Sequence, residues 1–213
     1  MKEKTKLIFD ELFNRFPELN SIETAVLSAF NMIKSVFEQG GKLIVCGNGG
    51  SAADSEHIVG ELMKKFRKPR PIRKEIYDRL SDYGDNGRIL QNYLEGSLRA
   101  VSLTSHIALS TAFANDREPS VAYAQQLYGL ADGSDVLLAI STSGNSKNCV
   151  LAMTVAKAMG LKTIALTGQD KSALSDMADI TIRVSENETY KVQELHLPVY
   201  HCLCAMIEEE LFE

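Results

Sequence analysis

Two stretches of this chain carry residue types suited to proton chemistry. In "GKLIVCGNGGSAADSEHIVGEL", residues 41–62, an apolar run ends in a glycine-rich turn, and a helix-like segment follows with His57 and Glu61 four positions apart. That spacing puts both side chains on one helix face. In "VQELHLPVYHCLCAMIEEEL", residues 192–211, Gln193, Glu194, His196 and His201 fall within nine positions. Three of the four histidines therefore lie in two helices expected to meet at one end of a sheet. Two imidazoles, a carboxylate and a side-chain amide can transfer protons or bind a divalent metal. On spacing alone, His57 and Glu61 read equally well as a surface pair.

The turns beside these groups suit anions. Gly47, Gly49 and Gly50 follow a strand-like run and precede a helix, so backbone N–H groups and a helix N-terminus can approach a ligand closely. Gly47, Gly49 and Ala52 match G-x-G-x-x-A, the loose dinucleotide fingerprint. That fingerprint also wants an acidic residue roughly 20 positions on, at the end of a second strand. Residues Arg67–Lys74 are basic and proline-broken there, so no nucleotide cofactor is expected. The second turn, "AISTSGNSKN" at 139–148, places Ser141, Thr142, Ser143 and Ser146 between an apolar run and a helix. No lysine stands where a P-loop needs one. Helix capping by Ser or Thr is the simpler reading. Four hydroxyls in six residues exceed what one cap uses, and they point to a phosphate.

Short apolar runs rich in Val and Ile position these turns: 42–47, 100–104, 135–141, 162–168 and 179–185. Helix-like segments at 52–66, 119–131, 146–159 and 189–212 lie between or after them, and amphipathic helices at 2–16 and 20–39 precede them. Strands alternating with helices predict an α/β fold, a three-layer sandwich around a parallel sheet, with the leading helices as an appended unit. Residues 68–100 are long for a strand–helix connection and read as an insertion, either a cap over the site or a peripheral decoration. With 213 residues, one domain with a buried core is expected. A net charge of −5 opposes broad nucleic-acid binding, and the one basic run, "KKFRKPRPIRK" at 64–74, reads as a solvated helix end and loop. No apolar run reaches membrane-span length and the N-terminus is not signal-like. Cys46, Cys149, Cys202 and Cys204 lack metal-site or disulfide spacing, which predicts buried thiols in a reducing cytoplasm.

Taken in order, "CGNGGSAADSEH…E", "ANDR", "LLAISTSGNS", "ALTG" and "VQELHL…HCLC" resemble the sugar isomerase (SIS) domain family, and within it the phosphoheptose isomerases. The resemblance spans nearly the whole chain outside about 68–100. It implies a five-stranded parallel sheet and a homotetramer with sites shared between subunits. It also implies a sugar pocket at Asn48, Gly49, Gly50 and Ser51, with Asn115 and Asp116 nearby, and a phosphate site at Ser141, Thr142, Ser143 and Ser146. Glu61 would be the general base and His201 the acid or proton shuttle. His57, Glu61, Gln193 and His201 fall on positions that bind zinc in members where a metal is reported. The implied reaction moves the carbonyl of sedoheptulose 7-phosphate from C2 to C1 through an enediol. Relatives of the same fold bind the bacterial replication initiator without catalysis, and "HCLCAMIEEELF" resembles those too. In them the positions of Glu61 and His201 are typically occupied otherwise. An isomerase for a different phosphosugar is the remaining alternative. A straight helix separates Gln193 from His201 by about 12 Å, so shared zinc ligation requires a bend at Pro198 or long-reaching side chains.

Overall fold

The computed structural model describes residues 1–212. Strands β1 (Leu43–Cys46), β2 (Ala100–Ser102), β3 (Val136–Ser141), β4 (Lys162–Thr167) and β5 (Ile180–Arg183) pair in the order β2-β1-β3-β4-β5, all parallel. Each lies inside one of the five Val- and Ile-rich runs. The helices are α1 (Glu3–Arg15), α2 (Glu23–Glu38), α3 (Gly50–Met63), α4 (Lys74–Leu80), α5 (Gly84–Tyr93), α6 (Ile107–Asp116), α7 (Ala122–Leu130), α8 (Lys147–Ala158), α9 (Ala173–Met177) and α10 (Thr189–Leu211).

Alternation along the strands builds a core on each face of the sheet. Leu43, Val45, Leu138 and Ile140 face one core, closed by α1, α2, α3 and α10. Ile44, Cys46, Leu137 and Ala139 face the other, closed by α7, α8 and α9. The result is the three-layer α/β sandwich expected from the sequence, with the leading helices packed on the sheet's α10 side. All four cysteines are free and buried.

Three local expectations need correction. The helix expected over 119–131 is a single 3-10 turn at Pro119–Val121 followed by α7. Helices α4 and α6 arise where none was expected. Helix α6, "IALSTAFAND", lacks an amphipathic stripe and has no buried residue, so periodicity gave no sign of it. The basic run 64–74 is not wholly solvated either: Arg70 is 2 % exposed. Residues 74–93 form the short helices α4 and α5, joined by a 3-10 turn, with only Gly87 buried.

The chain's start is tied to the end of α10 through Glu210. Its carboxylate accepts from the Lys2 N–H and the Thr5 Oγ1 hydroxyl, each at 2.8 Å, with the N-terminal amine 3.4 Å away. Burial pushes this carboxyl up. The hydrogen bonds and the amine outweigh it and hold the pKa down at about 2, against 4.5 unperturbed. A depressed acid contributes stability that is present above the unfolded pKa and lost as pH falls through the folded one. Glu210→Gln should therefore lower the urea midpoint at pH 6 and flatten its decline between pH 4.5 and 2, as followed by circular dichroism.

Candidate active site

The strand order reverses direction between β1 and β3. From β1 the chain crosses to β2 on one side, whereas β3, β4 and β5 proceed on the other. In open α/β sheets a crevice forms at the carboxyl ends of the strands at such a point. Both anion-type turns sit there, one leaving β1 and one leaving β3.

The first turn depends on its glycines. Gly49 has φ +54°, a conformation that L side chains rarely adopt, and a Cβ at Gly47 would lie 2.5 Å from the Ser51 carbonyl oxygen. Gly50 opens α3, and a Cβ there would lie 2.5 Å from Gln193 Nε2, so Gln193 of α10 packs directly on the turn. Asn48 and Gly49 are exposed, while Ser51 is buried within this chain. The second turn is pinned to the first by a reciprocal amide pair: Asn48 Nδ2 donates to Asn148 Oδ1 at 2.9 Å, and Asn148 Nδ2 donates to Asn48 Oδ1 at 2.8 Å. Asn48 Nδ2 also donates to Cys149 Sγ at 3.7 Å, so the side chain is held in place from two sides. Sequence reading missed Asn148, although its place in the first turn of α8 was a signal.

In the second turn, Ser141 and Ser146 hydroxyls pair at 2.9 Å, and Ser143 Oγ accepts from the Asn145 N–H at 3.2 Å. Ser146 occupies the N-cap position of α8, yet its side chain makes no capping bond. The hydroxyls are therefore not spent on the helix end, as the capping reading required, and they stand beside the first turn of α8, where the Cys149 N–H is already taken by Asn148 Oδ1 at 3.0 Å and those of Lys147 and Asn148 are not. Thr142 lends its carbonyl to the Gly168 N–H at 3.0 Å and leaves its hydroxyl at the turn.

Helices α3 and α10 run alongside one another and gather the proton-handling groups. His57 Nε2 lies 3.2 Å from Glu61 Oε1, and Lys64 Nζ lies 3.3 Å from Glu61 Oε2. The His57 and His201 rings meet edge to face with centroids 4.9 Å apart. Tyr200 hydroxyl donates to Asp54 Oδ1 at 3.0 Å and lies 3.2 Å from His57 Nδ1. With its one hydrogen given to Asp54, Tyr200 accepts from His57 Nδ1–H, which leaves Nε2 facing Glu61. Asp54 and Tyr200 were not foreseen. Asp54 is one turn before His57 on the same face, and Tyr200 is adjacent to His201.

His201 Nε2 is buried with no hydrogen-bond partner. Burial lowers its pKa, His57 lowers it further, and Glu61 opposes the fall. His201 also lines a cavity of about 440 Å³ between α1 and α10 that contains Arg15, Arg67 and Glu194. His196 lies elsewhere. It is fully buried with both ring nitrogens unpaired, and burial takes its pKa to about 4, opposed only by the nearby Thr167 carbonyl, which falls short of hydrogen-bond geometry. Asn115 and Asp116 pair with each other at 2.9 Å at the exposed end of α6, with no hydrogen bond to either turn.

Helix α10 continues through Pro198. Gln193 meets the start of α3, and His201 meets His57 about two turns later. Among the described residues, no three His, Cys, Asp or Glu side chains are already gathered to hold a metal ion.

The SIS domain family model matches residues 98–206. The phosphoheptose isomerase of Akkermansia muciniphila is 32% identical over 199 residues, covering 93% of this chain and 92% of that protein. A probable phosphoheptose isomerase of Thermoplasma acidophilum is 38% identical over 185 residues, covering 87% and 88%. Among solved structures, the phosphoheptose isomerase of Francisella tularensis superimposes with TM-score 0.75 at 30% identity, covering 98% of this chain and all of that one. With the fold, the two turns and these relatives in agreement, the chain belongs to the SIS domain family, among the phosphoheptose isomerases.

Proposed function

We propose that this protein interconverts sedoheptulose 7-phosphate and D-glycero-D-manno-heptose 7-phosphate, an aldose–ketose isomerisation through an enediol. The observation that carries the reading is the gathering of Glu61, His57 and His201 where α10 packs along α3, the helix that the glycine turn opens, with that turn pinned to a hydroxyl-lined one at the start of α8. The phosphoryl group would sit among Ser141, Thr142, Ser143, Ser146 and the α8 N–H groups, and the sugar over Asn48–Ser51. Glu61 removes a proton beside the carbonyl and returns one to the neighbouring carbon. His57 stands 3.2 Å away to share that proton. Burial favours the neutral form of His201, and a substrate oxygen would supply the partner that Nε2 lacks. Phosphate anchoring contributes binding energy remote from the reacting carbons.

The donor types also fit zinc. His201 Nε2 is unpaired, and His57 is held at Nδ1 by Tyr200 in the manner that orients metal-bound imidazoles. His57, Glu61 and His201 would hold the ion, with Gln193 reaching from the glycine turn, and zinc when bound would polarise the substrate carbonyl. A homotetramer is part of the same reading. Helix α6 is rich in apolar residues yet buries none of them, with Ile107 73 % exposed, and a neighbouring subunit would cover its open face and give Asn115 and Asp116 a site to serve. Four free buried thiols accord with work in a reducing cytoplasm, and no helix among the described residues is long and apolar enough to cross a membrane.

Purified protein should produce the aldose from sedoheptulose 7-phosphate, followed by NMR, with zinc added and after treatment with a chelator. Sedimentation velocity reports the oligomer in the same preparation. Tight sugar-phosphate binding with no turnover in either condition would replace the enzyme with a non-catalytic sensor of the same fold.

A further inference from the structure

We infer that Arg70 and Glu208 form a buried clamp that sets where Glu61 stands relative to His201, making Arg70 a positioning residue for the reaction. Helix α3 ends at Met63 without the usual devices. Lys64 turns to extended backbone with φ −132° and ψ 178°, and the last turn carries no basic side chain. Its final carbonyls need donors from elsewhere. Arg70 supplies two, with Nη2 donating to the Glu61 carbonyl at 2.9 Å and Nη1 to the Leu62 carbonyl at 2.7 Å, the latter also accepting from the Leu98 N–H at 3.1 Å. Its charge also lies at the negative end of the α3 dipole.

The third arm of the guanidinium reaches the other helix. Arg70 Nε donates to Glu208 Oε1 at 2.6 Å, and both side chains are buried, at 0 % and 1 % exposure. Glu208 in turn accepts from the Phe66 N–H at 2.8 Å and the Arg67 N–H at 2.7 Å, so its carboxylate is fully engaged. Glu208 follows His201 by seven residues on α10. One ion pair therefore joins the peptide unit of Glu61 to the helix that carries His201, and it fixes their axial register. A buried pair of this kind is weak evidence for stability, because apolar replacements of similar volume often do as well. The planar fork, spanning two carbonyls and a carboxylate at once, is what a lysine cannot reproduce.

The inference rests on the isomerase reading, and its test separates the two. Arg70→Lys, Arg70→Met and the neutral pair Arg70→Met/Glu208→Gln are compared with wild type for melting temperature, KM and kcat. In the double variant the glutamine keeps an acceptor oxygen for one of the Phe66 and Arg67 amides and leaves no unpaired buried charge, so it guards against a single variant that fails to fold. Displacement of a reacting group by about 1 Å can cost 10²-fold. The expected result is a kcat lowered about 10- to 100-fold in every variant that folds, with KM within about threefold and no recovery in the double variant even where its melting temperature recovers. A folded double variant with wild-type kcat, or a loss confined to KM, overturns the clamp as a positioning device. If wild-type protein shows no turnover, the isomerase reading fails instead. The clamp is then judged by a crystal structure of Arg70→Met, where a displaced last turn of α3 supports it and an unmoved Glu61 and His201 refute it.

Discussion

Glu61→Gln protein is expected to bind sedoheptulose 7-phosphate within about threefold of wild type and to turn it over about 10³-fold more slowly, in line with the 10²- to 10⁴-fold contributed by a positioned base. Glutamine preserves the shape of the side chain and can still meet His57 Nε2, 3.2 Å from the native carboxylate. It cannot take a proton from carbon. The loss therefore belongs in kcat, because the turns proposed to hold the substrate lie at the strand ends and share no hydrogen bond with Glu61. Isothermal titration beside steady-state kinetics separates the two quantities. A tenfold loss of affinity with kcat intact would make Glu61 a binding group.

The opposite signature is expected at the second turn. Ser143 is exposed, and its Oγ accepts from the Asn145 N–H, a bond that an aspartate can also accept. Ser143→Asp should therefore fold normally while placing a carboxylate where a phosphate dianion must sit. Like charges set against each other cost several kcal/mol at an interface. A rise in KM of about 10²-fold or more follows, with kcat reduced far less, and raised salt should recover part of it by screening. An unchanged KM would remove the 141–146 turn from the phosphate site. The two variants together divide the molecule into an end that holds and an end that reacts.

Much of this arrangement is legible in the sequence because it rests on local chemistry. Short Val- and Ile-rich runs can be little other than strands of a covered sheet, and glycine and serine turns declare themselves by composition. His57 and Glu61 meet because four residues make one helical turn. What escaped the reading is the part made by tertiary contact. Tyr200 of α10 orients His57 of α3 and is itself held by Asp54 of α3, a contact between helices distant in sequence that no spacing rule predicts. Arg70 sits in a basic run that reads as a solvated helix end, and only the fold buries it against Glu208. Helix α6 has apolar residues without a stripe, so periodicity gave no sign of it or of where Asn115 and Asp116 would stand. His196 shows the converse error of composition: counted among three histidines near one end of the sheet, it is a core residue with no access to the crevice.

The relation between Gln193 and His201 is of the same kind. Their separation on a continuous α10 is as large as a straight helix implies, and each meets a different part of α3. Gln193 is thereby associated with the glycine turn first, and would serve a metal only through its reach.

Proton transfer through solvent-exchangeable groups at Glu61 is the central claim, and running the reaction in D₂O tests it most directly. Wild-type protein with sedoheptulose 7-phosphate should introduce deuterium at C2 of the aldose and at C1 of the recovered ketose, both visible by NMR, and Glu61→Gln should introduce none on the same timescale. Aldose formed without deuterium at either carbon, or equal incorporation by Glu61→Gln, would contradict it.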